Sequence, residues 1–259
     1  LLGNDAGRAI YDGGTIIGDK RGVLALGPRL GFEEVVLTVA MVQIPALAQG
    51  PAAHAPGVVQ ADFSPESSEK ALLDALQQPA WERSPRIKEQ EFSRAVALGL
   101  HDYARKSKSQ GFVVSLSGGV DSATVACLAA LMVRLGCKEL GLQGFKERFS
   151  HMAELQDCAN ANDLIRKILC CVYQASSNSG QATRDAARCV AQALSATHYE
   201  MNISDLVESY QRLAEGALGR KLNWELDDIA LQNIQARARG PGVWLLANVR
   251  NSLLLATSN

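Results

Sequence analysis

From Glu89 onward the apolar positions alternate between two periods. Phe92, Ala95, Val96, Leu100 and Tyr103 recur every three or four residues, which predicts a helix with one buried face. Gly111 to Ser115 is a short β-branched run and predicts a strand. Asp121 to Leu135 is apolar nearly all round, the pattern of a buried helix. A second strand is expected over Ile168 to Tyr173, and a helix striped by Thr183, Ala186, Val190, Ala193 and Leu194 follows it. Tyr199 to Ile203 reads as a third strand, with Ser204-Asp205 as a helix cap behind it. A long helical segment runs from Trp224 to about Arg239, and Leu253 to Thr257 closes the series as a fourth strand. Repeated β-α units of this kind predict the α/β class, a doubly wound parallel sheet with helices on both faces. Ligands of such sheets bind beyond the carboxyl ends of the strands.

The earlier part has a different texture. Residues 8 to 44 read as β-structure: Ala9-Ile10-Tyr11, Gly14 to Ile17, Val23 to Leu26 and Val35 to Val39, separated by turn signals such as Asp12-Gly13. Residues 45 to 88 hold six of the eight prolines and little periodicity, with one short helix expected near Glu69 to Leu76. The division expected is therefore a β-rich piece at 1–50, a linker at 51–88 and an α/β domain at 89–259. Gly136 to Asp163 reads as an insertion or lid between the first two strands of that domain. Gly240-Pro241-Gly242 is expected to interrupt the long helix.

Composition narrows the function classes. The net charge of -1 over 259 residues leaves no bulk nucleic-acid footprint. Six cysteines occur without a Cys-x-x-Cys pair, which argues for reduced thiols in a cytoplasmic protein and against zinc. No signal peptide and no 18-residue apolar span is read, so no membrane role is expected. The chain opens on Leu1 and stops at Asn259 straight after a strand, so a fragment is expected. The four histidines point to no site. Trp81, Trp224 and Trp244 read as core or interface rather than stacking platforms.

The chemistry concentrates in Val113-Val114-Ser115-Leu116-Ser117-Gly118-Gly119-Val120-Asp121-Ser122. A strand, a glycine turn and a helix start aim backbone N–H groups and the positive helix end at an anion. No Lys follows the glycines, so this is not the loop that grips a γ-phosphate. An Asp at this helix start fits two roles, a partner of the macrodipole or a hard oxygen ligand for Mg²⁺ shared with phosphates. Further on, Asn233 and Arg237 are four apart and share one helix face, with Leu226, Ile229, Ala230 and Ile234 expected on the apolar side. That polar face fits either a ligand or plain solvent.

The glycine loop resembles the pyrophosphate loop (PP-loop) of ATP-dependent adenylating enzymes, a group that includes GMP synthetase, asparagine synthetase, tRNA-thiolating enzymes and NAD synthetase. Three later segments narrow this: Val172-Tyr173-Gln174-Ala175 with Asn178-Ser179, then His198 to Ile203, then Ala230-Leu231-Gln232-Asn233-Ile234-Gln235-Ala236-Arg237-Ala238-Arg239. In this order they resemble the synthetase domain of glutamine-dependent NAD synthetases. Asn4-Asp5-Ala6-Gly7-Arg8 and Ile10-Tyr11-Asp12-Gly13-Gly14 are similar to the closing part of that family's nitrilase-like glutaminase domain.

The resemblance implies ATP-dependent amidation of deamido-NAD through an NAD-adenylate, with ammonia drawn from glutamine by an upstream domain and AMP and pyrophosphate released. It implies ATP contacts from Ser115, Leu116, Ser117, Gly118, Gly119, Val120, Asp121, Ser122 and Thr257. It places Mg²⁺ on Asp121 and deamido-NAD on Asn233 and Arg237, with Gln232 and Arg239 as secondary candidates. A homo-oligomer is implied as well. The family's second acidic Mg²⁺ ligand falls after Asn259, and its glutaminase Glu, Lys and Cys fall before Leu1. Two other readings fit the loop: another PP-loop enzyme of the GMP synthetase or tRNA-modifying type, and a nucleotide-binding remnant without catalysis.

Overall fold

A computed structural model describes residues 2–5, 8–42 and 79–257. The helix expected near Glu69 to Leu76 and most of the linker lie outside the described residues. Two antiparallel hairpins come first, β1 (Leu2–Asp5) with β2 (Ala9–Asp12) and β3 (Ile16–Asp19) with β4 (Gly22–Leu26). The expected strand over Val35 to Val39 does not form. Val35 and Leu37 are 84% and 82% exposed, and no described strand pairs with them, so their β-propensity has nothing to act on.

After a short 3₁₀ turn at Ala80–Arg83, helix α1 (Ile87–Ser107) leads into β5 (Phe112–Ser115). Then follow α2 (Val120–Arg148), α3 (Ala161–Ile168), β6 (Leu169–Ala175), α4 (Gln181–Leu194), β7 (Thr197–Asn202), α5 (Ser204–Leu218), α6 (Asp228–Arg237), α7 (Arg239–Val249) and β8 (Leu253–Leu255). The last four strands form one parallel sheet in the order β7-β6-β5-β8. The order reverses at β5, with β6 on one side and β8 on the other, so a topological switch point opens beyond Ser115.

The pleat sorts the strand residues between two faces. Phe112, Val114, Leu169, Cys171 and Tyr173 face a large core filled from α1, α2, α3 and α4. Val113, Cys170 and Val172 face a small cluster closed by Val243 and Ala247 of α7. By length and composition α2 is apolar enough to cross a membrane, contrary to the sequence expectation. Here it is a core helix, and Ala126, Ala129, Ala130, Met132 and Val133 are buried in the sheet's main core.

The 136–163 stretch is not a lid. α2 continues through it, broken only at Gly141 (φ 71°), and Phe145, Phe149, Met152 and Leu155 are buried in the same core as the sheet. The apolar spacing of this stretch was masked by its polar residues, of which Lys146 is buried with its Nζ donating to the Gln156 carbonyl at 2.8 Å. Trp81 departs from expectation too. Arg29 and Arg94 lie over its ring at 5.5 and 5.0 Å, so it is a stacking platform for two guanidiniums. Trp224 and Trp244 are exposed rather than core residues.

Candidate nucleotide site at the switch point

The loop between β5 and α2 is braced by its two serines. Ser122 is buried and its Oγ accepts from the Ser117 amide at 3.2 Å, lies 3.1 Å from Ser117 Oγ and donates to the Gly119 carbonyl at 3.2 Å. Ser117 Oγ accepts in turn from the Gly119 amide at 3.2 Å. Leu116 is anchored beneath by its amide, which donates to the Val172 carbonyl at 2.8 Å. Gly118 has φ +84°, and a Cβ there would lie 2.4 Å from the Thr183 carbonyl at the start of α4. Only glycine fits both the dihedral and the space.

Gly119 is the residue before α2 and offers no side-chain cap. The first-turn N–H groups of α2 therefore have no acceptor within the helix and point outward with its positive end. Ser117, Gly119, Val120 and Asp121 are exposed at this rim, and Ser115 and Gly118 are half-buried. Outward N–H groups and a positive helix end favour an anion at this rim.

Two polar contacts join this edge to α6 and α7. Asn178, in the turn after β6, has its Nδ2 donating to Gln235 Oε1 at 3.3 Å. Gln174 is only 4% exposed. Its Nε2 donates to the Arg239 carbonyl at 2.7 Å and reaches toward Ser115 Oγ at 3.5 Å. Its Oε1 is buried without a partner. Sequence reading assigned no role to Gln174, although a Gln that alternates with Cys170 and Val172 on one strand face was the available signal. Gly242 lies beside this group, and a Cβ there would sit 3.4 Å from Gln174 Oε1, an ordinary contact that does not itself require glycine. The expected long helix is two helices that meet at Ala238, and Trp224 precedes α6 in a turn. Pro241 falls in the first turn of α7, where its missing N–H costs nothing.

Asn233 and Arg237 are both exposed on α6, the helix that Asn178 ties to the sheet edge through Gln235, while Gln174 ties the first residue of α7. The apolar side of that helix differs from the expected one. Leu231 and Ala238 are buried and Ile234 packs with Ile203 and Val207, whereas Leu226 is 77% exposed and Ile229 is also exposed. Arg239 is half-buried and its Nη1 donates to the Gln235 carbonyl at 3.1 Å, which spends it within the helix pair. Thr257 is exposed two residues past Leu255, whose partner is Val114, and so sits at the same edge as the loop.

Among the described residues no group of three or more His, Cys, Asp or Glu side chains could hold a metal. A lone exposed carboxylate beside an anion loop suits Mg²⁺, which keeps waters and takes most of its charge from phosphate. Asp121 fits that role and none needing a protein cage. The cysteines are free, and burial pushes Cys171 up to about 12 and Cys137 up to about 11. Cys127 and Cys189 are exposed, so the set is not wholly core. His198 Nε2 is buried without a partner and burial lowers its pKa, in keeping with packing rather than catalysis.

The family described as NAD synthase matches residues 92–259. A glutamine-dependent NAD(+) synthetase from Homo sapiens is 30% identical over 275 residues, covering 95% of this chain and 38% of that protein. One from Oryza sativa is 25% identical, over 95% of this chain and 36% of that protein. The crystal structure of a glutamine-dependent NAD(+) synthetase from Cytophaga hutchinsonii superposes with a TM-score of 0.77 and 35% identity, over 100% of this chain and 39% of that one. The chain thus spans well under half the length of the relatives it matches.

Proposed function

The chain belongs to the NAD synthase family, and we propose that it carries the ATP-dependent step of a glutamine-dependent NAD synthetase. In this reading the carboxylate of deamido-NAD attacks the α-phosphorus of ATP and pyrophosphate leaves. Ammonia, drawn from glutamine elsewhere in the full-length protein, then attacks the acyl carbon of the NAD-adenylate, and NAD and AMP are released. The need for adenylation is chemical. A carboxylate repels nucleophiles and has no leaving group, and AMP supplies one.

The observation that carries the reading is the serine-braced glycine turn at the switch point, with α6 tied to the same edge. Outward amides of the first turn of α2 stabilise charge that builds on pyrophosphate, while the Ser117 and Gly119 amides hold the turn in shape through the two serines. Preorganisation by Ser117 and Ser122 means little reorganisation is needed as that charge develops. Mg²⁺ held by Asp121 would neutralise phosphate charge when bound. Asn233 and Arg237 hold deamido-NAD, and Ser115, Leu116, Val120 and Thr257 line the ATP site. Cytoplasmic location and homo-oligomeric association belong to the same proposal. Exposed Leu213, Leu245 and Val249 on the α5–α7 side favour association.

The test uses the full-length protein with deamido-NAD, ammonia and ATP labelled at the α-phosphate. The expected products are AMP, pyrophosphate and NAD. Release of ADP, or XMP accepted in place of deamido-NAD, would sink the assignment. Asp121→Asn should weaken ATP binding in Mg²⁺ buffer and leave metal-free ATP binding almost unchanged.

A further inference from the structure

The region matched by the NAD synthase family begins at residue 92, yet residues 2–5 and 8–34 are fastened to the helix that leads into it. The fastening centres on Asp102, near the end of α1. Asp102 is buried, and its Oδ2 accepts the backbone amide of Asn4 at 2.8 Å. The same oxygen pairs with Lys106 Nζ at 2.6 Å, and Oδ1 accepts from Arg105 Nη2 at 2.8 Å. Lys106 Nζ also donates to the Asn4 carbonyl at 2.7 Å, so one carboxylate and one ammonium grip both polar groups of a single residue of β1. Burial works to raise the Asp102 pKa, but the hydrogen bonds from Lys106, Arg105 and Asn4 outweigh it and hold it below the usual carboxylate range.

The fit extends around this contact. Gly3 has φ +92°, and a Cβ there would lie 2.6 Å from Asp102 Oδ2. Gly99, in the interior of α1, would place a Cβ 2.7 Å from Ile10 Cδ1. A glycine inside a helix is costly, and here it admits a side chain of β2. Asn4 Nδ2 reaches the Gly99 carbonyl at 3.5 Å. The recognition is of main chain, which fixes position and direction together.

We propose that Asp102 is a positioning residue for nitrogen transfer: its grip on Gly3 and Asn4 sets the N-terminal segment in register with α1 and so with the nucleotide loop that follows β5. The proposal rests on the function proposed above, in which ammonia arises on the N-terminal side and is consumed at the loop. A small neutral amine reaches its acceptor unlost only if the two sites stay aligned, and a displacement of about 1 Å can cost about 100-fold in rate. Asp102 touches no reacting atom, so free ammonia, which enters from solvent, bypasses its role.

The experiment compares glutamine-driven with ammonia-driven NAD synthesis in the full-length protein for wild type, Asp102→Ala and Gly3→Ala. In Asp102→Ala, ammonia-driven synthesis should stay within about twofold, glutamine-driven synthesis should fall about tenfold, and several glutamines should be hydrolysed per NAD. Gly3→Ala forces the same contact apart from the other side without altering α1, and guards against failure of the first variant to fold. It should shift the ratio in the same direction. Equal loss by both routes, or an unchanged ratio in both variants, would overturn the positioning role. A wild type that makes no NAD even from ammonia would instead overturn the proposed function itself and take this role with it.

Discussion

The two faces of the parallel sheet are unequal. One face carries α1 to α4 and a core that includes Phe112, Phe145, Phe149, Met132 and Leu155, all essentially free of solvent. The other is closed by α7 through Val243 and Ala247, while Trp244, Leu245 and Val249 of the same helix point outward. The glycine loop is anchored on the thick side, where α2 begins and Thr183 backs Gly118. Helix α6, the proposed acceptor helix, belongs to the thin side and is held by the small cluster of Ile203, Val207, Ala238 and Ile234, with Asn178 as a polar tie and Gln174 tying the start of α7 beside it. The molecule therefore sets a serine-braced turn against a helix held by a small cluster. Under the proposed function, that division suits a site that keeps one substrate fixed and lets another enter.

The largest expected effects test the inequality directly. Phe145→Ala should cost about 4 kcal/mol in urea unfolding, because a fully buried ring leaves a cavity that neighbours cannot fill. Val243→Ala on the thin side should cost about 2 kcal/mol or less, with faster amide exchange confined to α6 and α7. Equal losses from the two would remove the distinction.

The next effect is a pH dependence that belongs to the thick side. His101 is packed between Phe32 and Phe149, with ring centroids at 5.0 and 5.1 Å, and its Nε2 has no partner. Burial lowers its pKa from 6.5 to about 4, helped by Arg105 and Arg148 and opposed by Asp102. Below about pH 6.5 the unfolded chain takes up a proton that the folded one refuses. Stability should thus fall between about pH 6.5 and 4, by about 3 kcal/mol from this group alone. His101→Phe should flatten that part of the pH–stability curve, and an unchanged slope would contradict the burial argument.

For the cradle, Gly118→Ala should lower kcat/KM for ATP by about 100-fold, since the amides cannot keep their aim with a Cβ 2.4 Å from the Thr183 carbonyl. A loss under about threefold would show that the loop is less fixed than its bracing implies.

The thick side was also the more legible in sequence. β5 and the helix after the glycine turn announced themselves through β-branched residues and an unbroken apolar run, and the anion loop lies where those two patterns meet. β2, β3 and β4 were legible for the same reason, through short apolar runs and the turn signal Asp12-Gly13 between β2 and β3, whereas β1, the partner of β2, was not read. Legibility failed where tertiary contact overrides local pattern. Val35 to Val39 has strand propensity without a partner strand. The 136–163 stretch hides its buried Phe145 and Phe149 among charged residues, one of which, Lys146, is itself buried. On α6, apolar Leu226 and Ile229 predicted an inner face, but the helix starts only at Asp228 and turns Leu231 and Ala238 inward. Periodicity cannot report where a helix starts to within one residue, and one residue rotates the face by about 100°. Gln174 lay in plain view as a polar break on an apolar strand face. Its partners, Ser115 and the Arg239 carbonyl, are set by how α7 crosses the sheet.

The smallest effect is expected on the outside of the thin side. Leu213 of α5 is 72% exposed, and Leu213→Lys removes almost no buried area. Its folding free energy should stay within about 0.5 kcal/mol of wild type. In the full-length protein, sedimentation gives the same substitution a second reading. If that face is covered by another copy, a lysine head placed in the contact must be desolvated, and the assembly should dissociate at concentrations where wild type does not. Unchanged sedimentation would leave these apolar side chains facing solvent and confine the asymmetry of the two faces to the fold of one chain.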